Sequence, residues 1–364
     1  MHKEFQVKKA NPNQHRIVKA DSKVLGDGDI RVDIDQFAFT ANNLTYAAAG
    51  DSLGYWQFFP ALENDDNTWG IIPVWGFADV VESKHEAIPV GDRLYGYFPP
   101  ATSLIIQPSH VSDRSLVDNS AHRQALPPLY NRYNRVLADS QYDRSTDAAR
   151  ILLAPLHVTS FCLWDQLKSN NYYGAEQVVI VSASSKTSLG LAYGLANDDN
   201  APAVVALTSS RNADFVAGLK LYQQTISYEE LTSTLQNKPT VIVDMAGNAG
   251  VKAALQNKLG DNLNYYISVG ITHWEDLGSD AANGKPNPDK HEMFFAPSYI
   301  LDRMKEWGPS EFDKRSSMFV VEAAMATFGW MDVDQKVGLD GLKELYPAAC
   351  KGELPPSLGL VIKM

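Results

Sequence analysis

Four short apolar runs, three of them leading into stretches of helical spacing, occupy residues 177 to 269 and restrict the fold more than any other feature. The runs are Gln177-Val178-Val179-Ile180-Val181, Ala203-Val204-Val205-Ala206-Leu207, Thr240-Val241-Ile242-Val243-Asp244 and Tyr265-Tyr266-Ile267-Ser268-Val269. Residues 188–196, 212–219 and 249–259 lie between them and read as helices. Strands without polar alternation are buried on both faces, and regular alternation with helices predicts an α/β, doubly wound parallel sheet.

The rest of the chain follows a different rhythm. Residues 16 to about 110 give short strands broken by Gly and Pro, such as Ile30-Arg31-Val32-Asp33-Ile34, Ala78-Asp79-Val80-Val81 and Arg93-Leu94-Tyr95-Gly96-Tyr97. This predicts a β-rich barrel or sandwich-like unit. Residues 100–145 show no period and read as a long excursion with some helix. Helices are expected over 148–167 and 318–328. A length of 364 residues exceeds one ordinary core. Two domains are therefore expected: 1–155, completed by 300–364, and 156–299.

A formal net charge of -11 and the absence of any basic run argue against nucleic acid or an anionic membrane surface as partner. No apolar stretch approaches the roughly 20 residues of a membrane span. Cys162 and Cys350 are the two cysteines, too few for a disulfide framework. A cytoplasmic protein is expected.

In a doubly wound sheet the first βα turn receives a phosphate at a helix N-terminus. Here that turn is Ser182-Ala183-Ser184-Ser185-Lys186-Thr187-Ser188-Leu189-Gly190. Of the three glycines usual in a dinucleotide fingerprint, Gly190 alone is kept, at the helix-packing position. Ser184, Ser185, Lys186, Thr187 and Ser188 are candidate cofactor contacts. A triphosphate P-loop is a poor alternative, because Ser185 and Ile180 stand where it needs glycine. No acid follows the second strand to hold ribose hydroxyls. Ser209, Ser210 and Arg211 stand there instead, and a guanidinium beside hydroxyls suits the extra phosphate of NADP(H).

With that half read, the first half resembles the medium-chain dehydrogenase/reductases. Ala41-Asn42-Asn43-Leu44-Thr45-Tyr46 with Gly50 is similar to their entry segment. Residues 73–81 resemble their second signature, and Gly91-Asp92-Arg93-Leu94-Tyr95-Gly96 resembles the turn after it. Leu156-His157-Val158-Thr159-Ser160, Asp244-Met245-Ala246-Gly247 and Ser268-Val269-Gly270 resemble segments lining the cofactor. The resemblance implies a GroES-like catalytic domain, a Rossmann cofactor domain and a cleft between them. It adds Thr159, Gly247, Val269 and Gly270 to the cofactor contacts. The zinc branch of the family has Cys, His and Cys where this chain has Asn43, Phe77 and Pro155, so no metal is expected. His157, His273 and His291 show no ligand spacing. The chain resembles the zinc-free quinone and enone reductases, with Tyr46 and the glycine-poor loop as departures.

Without a metal, charge developing on a carbonyl oxygen needs hydrogen-bond donors or a general acid. The expected reaction is hydride transfer between NADPH and a carbonyl-conjugated small molecule. Asn43 and Tyr46 are the candidate catalytic residues, with Tyr95 and Tyr97 behind them. Aromatic residues between Tyr55 and Phe77 would suit a flat substrate. A homodimer is expected. The competing expectation is a non-enzymatic NADPH sensor on the same fold.

Overall fold

A computed structural model describes residues 1–269 and 290–364, which divide into two compact units: Met1–Leu152 with Asp332–Met364, and Leu153–Met331. The first unit runs through β1 (His2–Lys8), β2 (Asn11–Ala20), β3 (Ile30–Phe39), α1 (Ala41–Ala48), β4 (Trp69–Gly70), β5 (Val74–Ser83), β6 (Arg93–Phe98), β7 (Ser103–Ile106), β8 (Pro108–Ser109), β9 (Ser115–Asp118) and β10 (Arg132–Arg135). The helix α2 (Asp147–Ser169) leads into the second unit. There follow β11 (Gln177–Val181), α3 (Lys186–Ala196), β12 (Ala203–Thr208), α4 (Ser210–Gly218), β13 (Gln224–Ser227), α5 (Leu231–Thr234), β14 (Thr240–Asp244), α6 (Ala249–Leu259), β15 (Leu263–Ser268), β16 (His291–Met293), α7 (Ala296–Trp307) and α8 (Pro309–Phe328). The chain then returns to the first unit with β17 (Asp332–Val337), α9 (Gly338–Cys350) and β18 (Leu358–Lys363).

The second unit is the doubly wound sheet its sequence dictates. Its strands lie in the order β13-β12-β11-β14-β15-β16, every pair parallel. The central strands β11 and β14 are buried at every residue, as apolar runs covered on both faces must be. The order reverses direction at β11, so the turns after β11 and β14 face a topological switch point, where such sheets take their ligands. Helices α7 and α8 belong to this unit: Phe312 and Phe319 of α8 pack against Phe161 of α2. The return to the first unit therefore begins at Asp332, later than the expected residue 300.

The first unit is built on a sheet ordered β17-β18-β3-β5-β6-β10-β9-β8, with β7 also on β3, and a smaller sheet ordered β2-β1-β4. Its C-terminal strand closes against its own N-terminal half, Leu360 pairing with Phe39. The Arg93 guanidinium, fully buried, binds Asp79 at 2.8 Å, Asp35 at 2.7 Å and Asp147 at 2.6 Å, so its charge is shared among three carboxylates. The excursion over 100–145 is short strands and single turns of 3-10 helix rather than longer helix. It is pinned by a second buried arginine, Arg123. That side chain donates to Asp118 (3.0 Å), Asn131 (2.9 Å), Tyr133 (2.8 Å) and the Tyr130 carbonyl (2.6 Å). A buried guanidinium with so many acceptors fixes a segment that has no period of its own.

Candidate functional site

The turn after β11 opens with Ser182 at a φ of 60°. That left-handed conformation is free for glycine and costs other residues roughly 1–2 kcal/mol. The serines around it hold it in place. The Ser182 carbonyl accepts from Ser185 N–H at 3.0 Å and from Ser188 Oγ at 2.9 Å. Ser185 caps α3, its hydroxyl accepting from Ser188 N–H at 3.1 Å and lying 2.8 Å from Ser188 Oγ. Ser184 is buried and accepts from Asn212 Nδ2 at 3.0 Å. Three of the predicted cofactor contacts thus hold the loop itself. Gly190 has the packing role expected of it: an added Cβ would lie 2.6 Å from Ser160 Oγ and 2.8 Å from His157 Cδ2. Ser160 in turn donates to the Thr187 carbonyl at 2.7 Å, tying α2 to the start of α3.

Lys186 and Thr187 form the first turn of α3, at the carboxyl end of β11, where the helix presents its first N–H groups and the positive end of its dipole. Both are half-buried. Burial holds the Lys186 ammonium down at about 8. An anion at this helix end would offset that penalty, so the residues present fit a phosphate-bearing dinucleotide.

At the end of β12, Ser209 is the N-cap residue of α4, and Ser210 and Arg211 are exposed in its first turn. The Ser210 hydroxyl donates to Glu229 Oε2 at 2.8 Å, and this bond lowers the Glu229 pKa. A carboxylate therefore reaches the corner where the sequence showed none. It comes from beyond β13, the neighbour of β12, and chain order alone did not reveal that adjacency. After β14, the buried Asp244 carboxylate accepts from Ala246 N–H (2.8 Å), Gly247 N–H (3.1 Å) and the Tyr266 hydroxyl (2.6 Å). Gly247 takes a φ of 69° there. Val269 N–H donates to the Asp244 carbonyl at 2.8 Å. Thr159 is half-buried in α2 and donates back to the Pro155 carbonyl at 3.2 Å. Gly270 and His273 lie outside the described residues. Asn212 is a contributor the sequence reading missed, and Asp244, which lies in a segment resembling the cofactor lining, has a buried hydrogen-bonding role that the reading did not assign.

His157 is fully buried in α2, and neither ring nitrogen makes a hydrogen bond of good geometry, although the Val320 backbone approaches the ring. Burial holds its pKa down to about 4. His291 lies 3.0 Å from the Ser268 hydroxyl. Among the described residues, no three His, Cys, Asp or Glu side chains gather as a metal-ligand set. Cys162 is buried and its thiol is pushed well above its ordinary value.

In the first unit, Asn43 and Tyr46 lie in α1, which Thr40 begins. Both are buried. Both polar atoms of the Asn43 amide are engaged: Oδ1 accepts from Thr40 N–H at 2.7 Å and Thr40 Oγ1 at 3.2 Å, and Nδ2 donates to the Pro73 carbonyl at 2.9 Å. It joins the start of α1 to the entry of β5. Tyr46 lies among aromatic rings, 4.6 Å from the Tyr55 centroid and 5.6 Å from that of Tyr97. Trp75 Nε1 donates to its hydroxyl at 3.4 Å. Burial raises its pKa, so the phenol keeps its proton at neutral pH. Tyr95 lies beside them, stacked on Trp75 at 5.7 Å with the Arg150 guanidinium over its ring.

The two units and their strand order define a medium-chain dehydrogenase/reductase fold, and comparison with solved structures agrees. CurA from Vibrio vulnificus, solved with NADPH, matches with a TM-score of 0.65 at 11% identity, over 100% of this chain and 99% of that one. Escherichia coli quinone oxidoreductase, also solved with NADPH, matches with a TM-score of 0.57 at 13% identity, over 100% of each chain. The yhdH oxidoreductase from Salmonella enterica, solved with NADP, matches with a TM-score of 0.53 at 11% identity, over 100% of this chain and 99% of that one. Within that fold the chain belongs to the family described as "Protein of unknown function (DUF2855)", whose model matches residues 37–355. No curated protein matches the sequence.

Proposed function

We propose that the protein is a zinc-independent oxidoreductase that uses NADP(H) to reduce a conjugated carbonyl compound such as an enone or quinone. The observation that carries this is the turn after β11. Its serines hold a glycine-like path, Ser185 caps α3, and a half-buried lysine of lowered pKa stands at the helix start. When bound, the cofactor supplies the hydride. Lys186, Thr187 and the N-terminus of α3 hold its pyrophosphate, and Arg211 with Ser209 takes the 2′-phosphate. The Tyr46 phenol, protonated at neutral pH, donates its proton to the reduced substrate. Asn43 fixes α1, and with it Tyr46, by its bond to Pro73.

Titration with NADPH, followed by NADPH-oxidation assays over enones, quinones and aldehydes, tests the reading. Binding at micromolar concentration with turnover on at least one class is expected. Tyr46→Phe should then lower kcat by at least about 10²-fold, the usual contribution of a general acid, without changing NADPH affinity. Failure to bind NADPH overturns the proposal. The engagement of both polar atoms of the Asn43 amide favours a second reading, a non-enzymatic NADPH sensor, and tight binding without turnover would select it.

We further propose that the protein is a homodimer. Met318, Val321, Met325 and Phe328 are exposed at helical spacing along one face of α8, which supports association through that helix.

A further inference from the structure

Four phenols meet in the first unit. Tyr55 and Tyr130 hydroxyls lie 3.2 Å apart. Tyr97 packs 4.7 Å from the Tyr130 ring and 5.3 Å from Trp75. Tyr46 lies against both Tyr55 and Tyr97. The Tyr97 hydroxyl is wholly buried and makes no hydrogen bond of good geometry, although the Tyr46 phenol neighbours it. Tyr130 comes from the excursion that Arg123 pins.

The chemistry of the cluster is one-sided. Its polar groups are four phenol hydroxyls, the Trp75 N–H, and the Asn42 side chain, whose hydrogen bond to Tyr46 lowers the Tyr46 pKa. Among the described residues, no carbonyl or carboxylate accepts from any of the four hydroxyls. A phenol oxygen can accept as well as donate, but every chain of phenols ends in an O–H with nothing to receive it. Buried donors are rarely left so. The missing group is an acceptor without a proton of its own, framed by aromatic faces.

We propose that Tyr46, Tyr55, Tyr97 and Tyr130 form a binding site for the oxygen of a planar conjugated carbonyl, and that this site prefers the carbonyl to the corresponding alcohol. Tyr97 is the recognising donor, and Tyr130 is a positioning residue that holds its ring. An alcohol brings another O–H into a site that already has one too many. For a quinone, whose reduction turns carbonyls into hydroxyls, the preference favours release of the product. The inference rests on the proposed function only for its choice of a reducible carbonyl as ligand.

The test is equilibrium binding of a matched pair, 2-acetylnaphthalene and 1-(2-naphthyl)ethanol, to the full-length protein without cofactor, by calorimetry and ligand-observed NMR. One unsatisfied donor corresponds to about tenfold in affinity, so the ketone should bind about tenfold tighter or better. Tyr97→Phe should bring the two within about twofold, and Tyr130→Phe should narrow the gap, with circular dichroism confirming that both fold. Equal affinities in the unaltered protein, no binding of either compound, or an undiminished gap in folded Tyr97→Phe overturns the proposal. If Tyr97→Phe does not fold, the unaltered protein's ratio decides alone. Ketone preference without any NADPH binding would sink the proposed function and leave this site standing; NADPH turnover with no such preference would do the reverse.

Discussion

The turn after β11 and the helix α1 treat their polar side chains in opposite ways. In the turn, the serines satisfy one another and a strained backbone, and Lys186 and Thr187 form the first turn of α3. In α1, the amide that stands where a zinc ligand would be is consumed by its own helix start and by Pro73. One uses hydroxyls to hold a strained turn; the other uses an amide to tie a helix start to a neighbouring strand. Residue type alone does not separate these outcomes, because a hydroxyl or amide can face either way. Its hydrogen-bond inventory does.

The turn is broken most severely at Gly190. Gly190→Val places carbon within 3 Å of the Ser160 hydroxyl and the His157 ring, both buried between α2 and α3. Overpacking at so tight a contact should cost at least about 3 kcal/mol. Urea unfolding would show it, and retained stability would mean that α2 and α3 separate easily. The neighbouring His157 gives the next largest effect. Its folded pKa of about 4 lies below the ordinary 6.5, so the unfolded chain binds the proton more readily between those values. Stability is therefore complete above pH 6.5 and falls as pH drops toward 4, by about 3 kcal/mol in all and about 2 by pH 5. His157→Leu should flatten that part of the pH profile. An unchanged slope in the variant would assign the acid sensitivity elsewhere.

The same comparison on the α1 side predicts a smaller loss. Asn43→Ala removes the partner of Thr40 N–H and leaves the Pro73 carbonyl unpaired, at about 2 kcal/mol. Stability should fall while kcat for a verified substrate changes only a few-fold. A large fall in kcat with stability kept would put Asn43 back among the catalytic residues.

The sequence carried the four central strands of the second unit, but not the edge strands β13 and β16 or the helices α5 and α7. Runs such as Thr240-Val241-Ile242-Val243-Asp244 leave no solvated face and admit one kind of sheet, and the observed β14 begins and ends where that run does. Ends moved where capping decided them: α3 starts at Lys186 rather than Ser188, because Ser185 rather than a later serine takes the cap. The excursion over 100–145 was not legible. What orders it is Arg123, whose acceptors Asp118, Asn131, Tyr130 and Tyr133 are scattered over the segment and share no period. The site was half legible for the same reason. Local chemistry such as a Ser-rich βα turn shows in the sequence. Glu229 on Ser210, or Tyr130 on Tyr55, depends on which strands and turns become neighbours.

The smallest predicted effect sharpens the comparison most, because it tests whether Lys186 is the residue the turn reserves for a ligand. In the unliganded protein its ammonium titrates near 8, lowered by burial from the ordinary 10.5. A phosphate at the start of α3 favours the charged form and raises that value. Linkage then fixes the sign. Below pH 8 the lysine is already charged, and NADPH affinity is independent of this group. Above pH 8 binding must take up a proton, so the dissociation constant rises by up to tenfold per pH unit until the raised pKa is reached. Measurements from pH 7 upward avoid the cofactor's own 2′-phosphate, which titrates near 6. At pH 8, calorimetry in buffers of different ionisation heat should find about half a proton taken up. Lys186→Met should bind more weakly at pH 7 and lose the alkaline slope. Lys186→Arg should bind with no slope up to pH 10, since a guanidinium stays charged throughout. An alkaline slope that survives in Lys186→Met would place the titrating group elsewhere, and the hydroxyl-built turn would then hold its ligand by backbone and dipole alone.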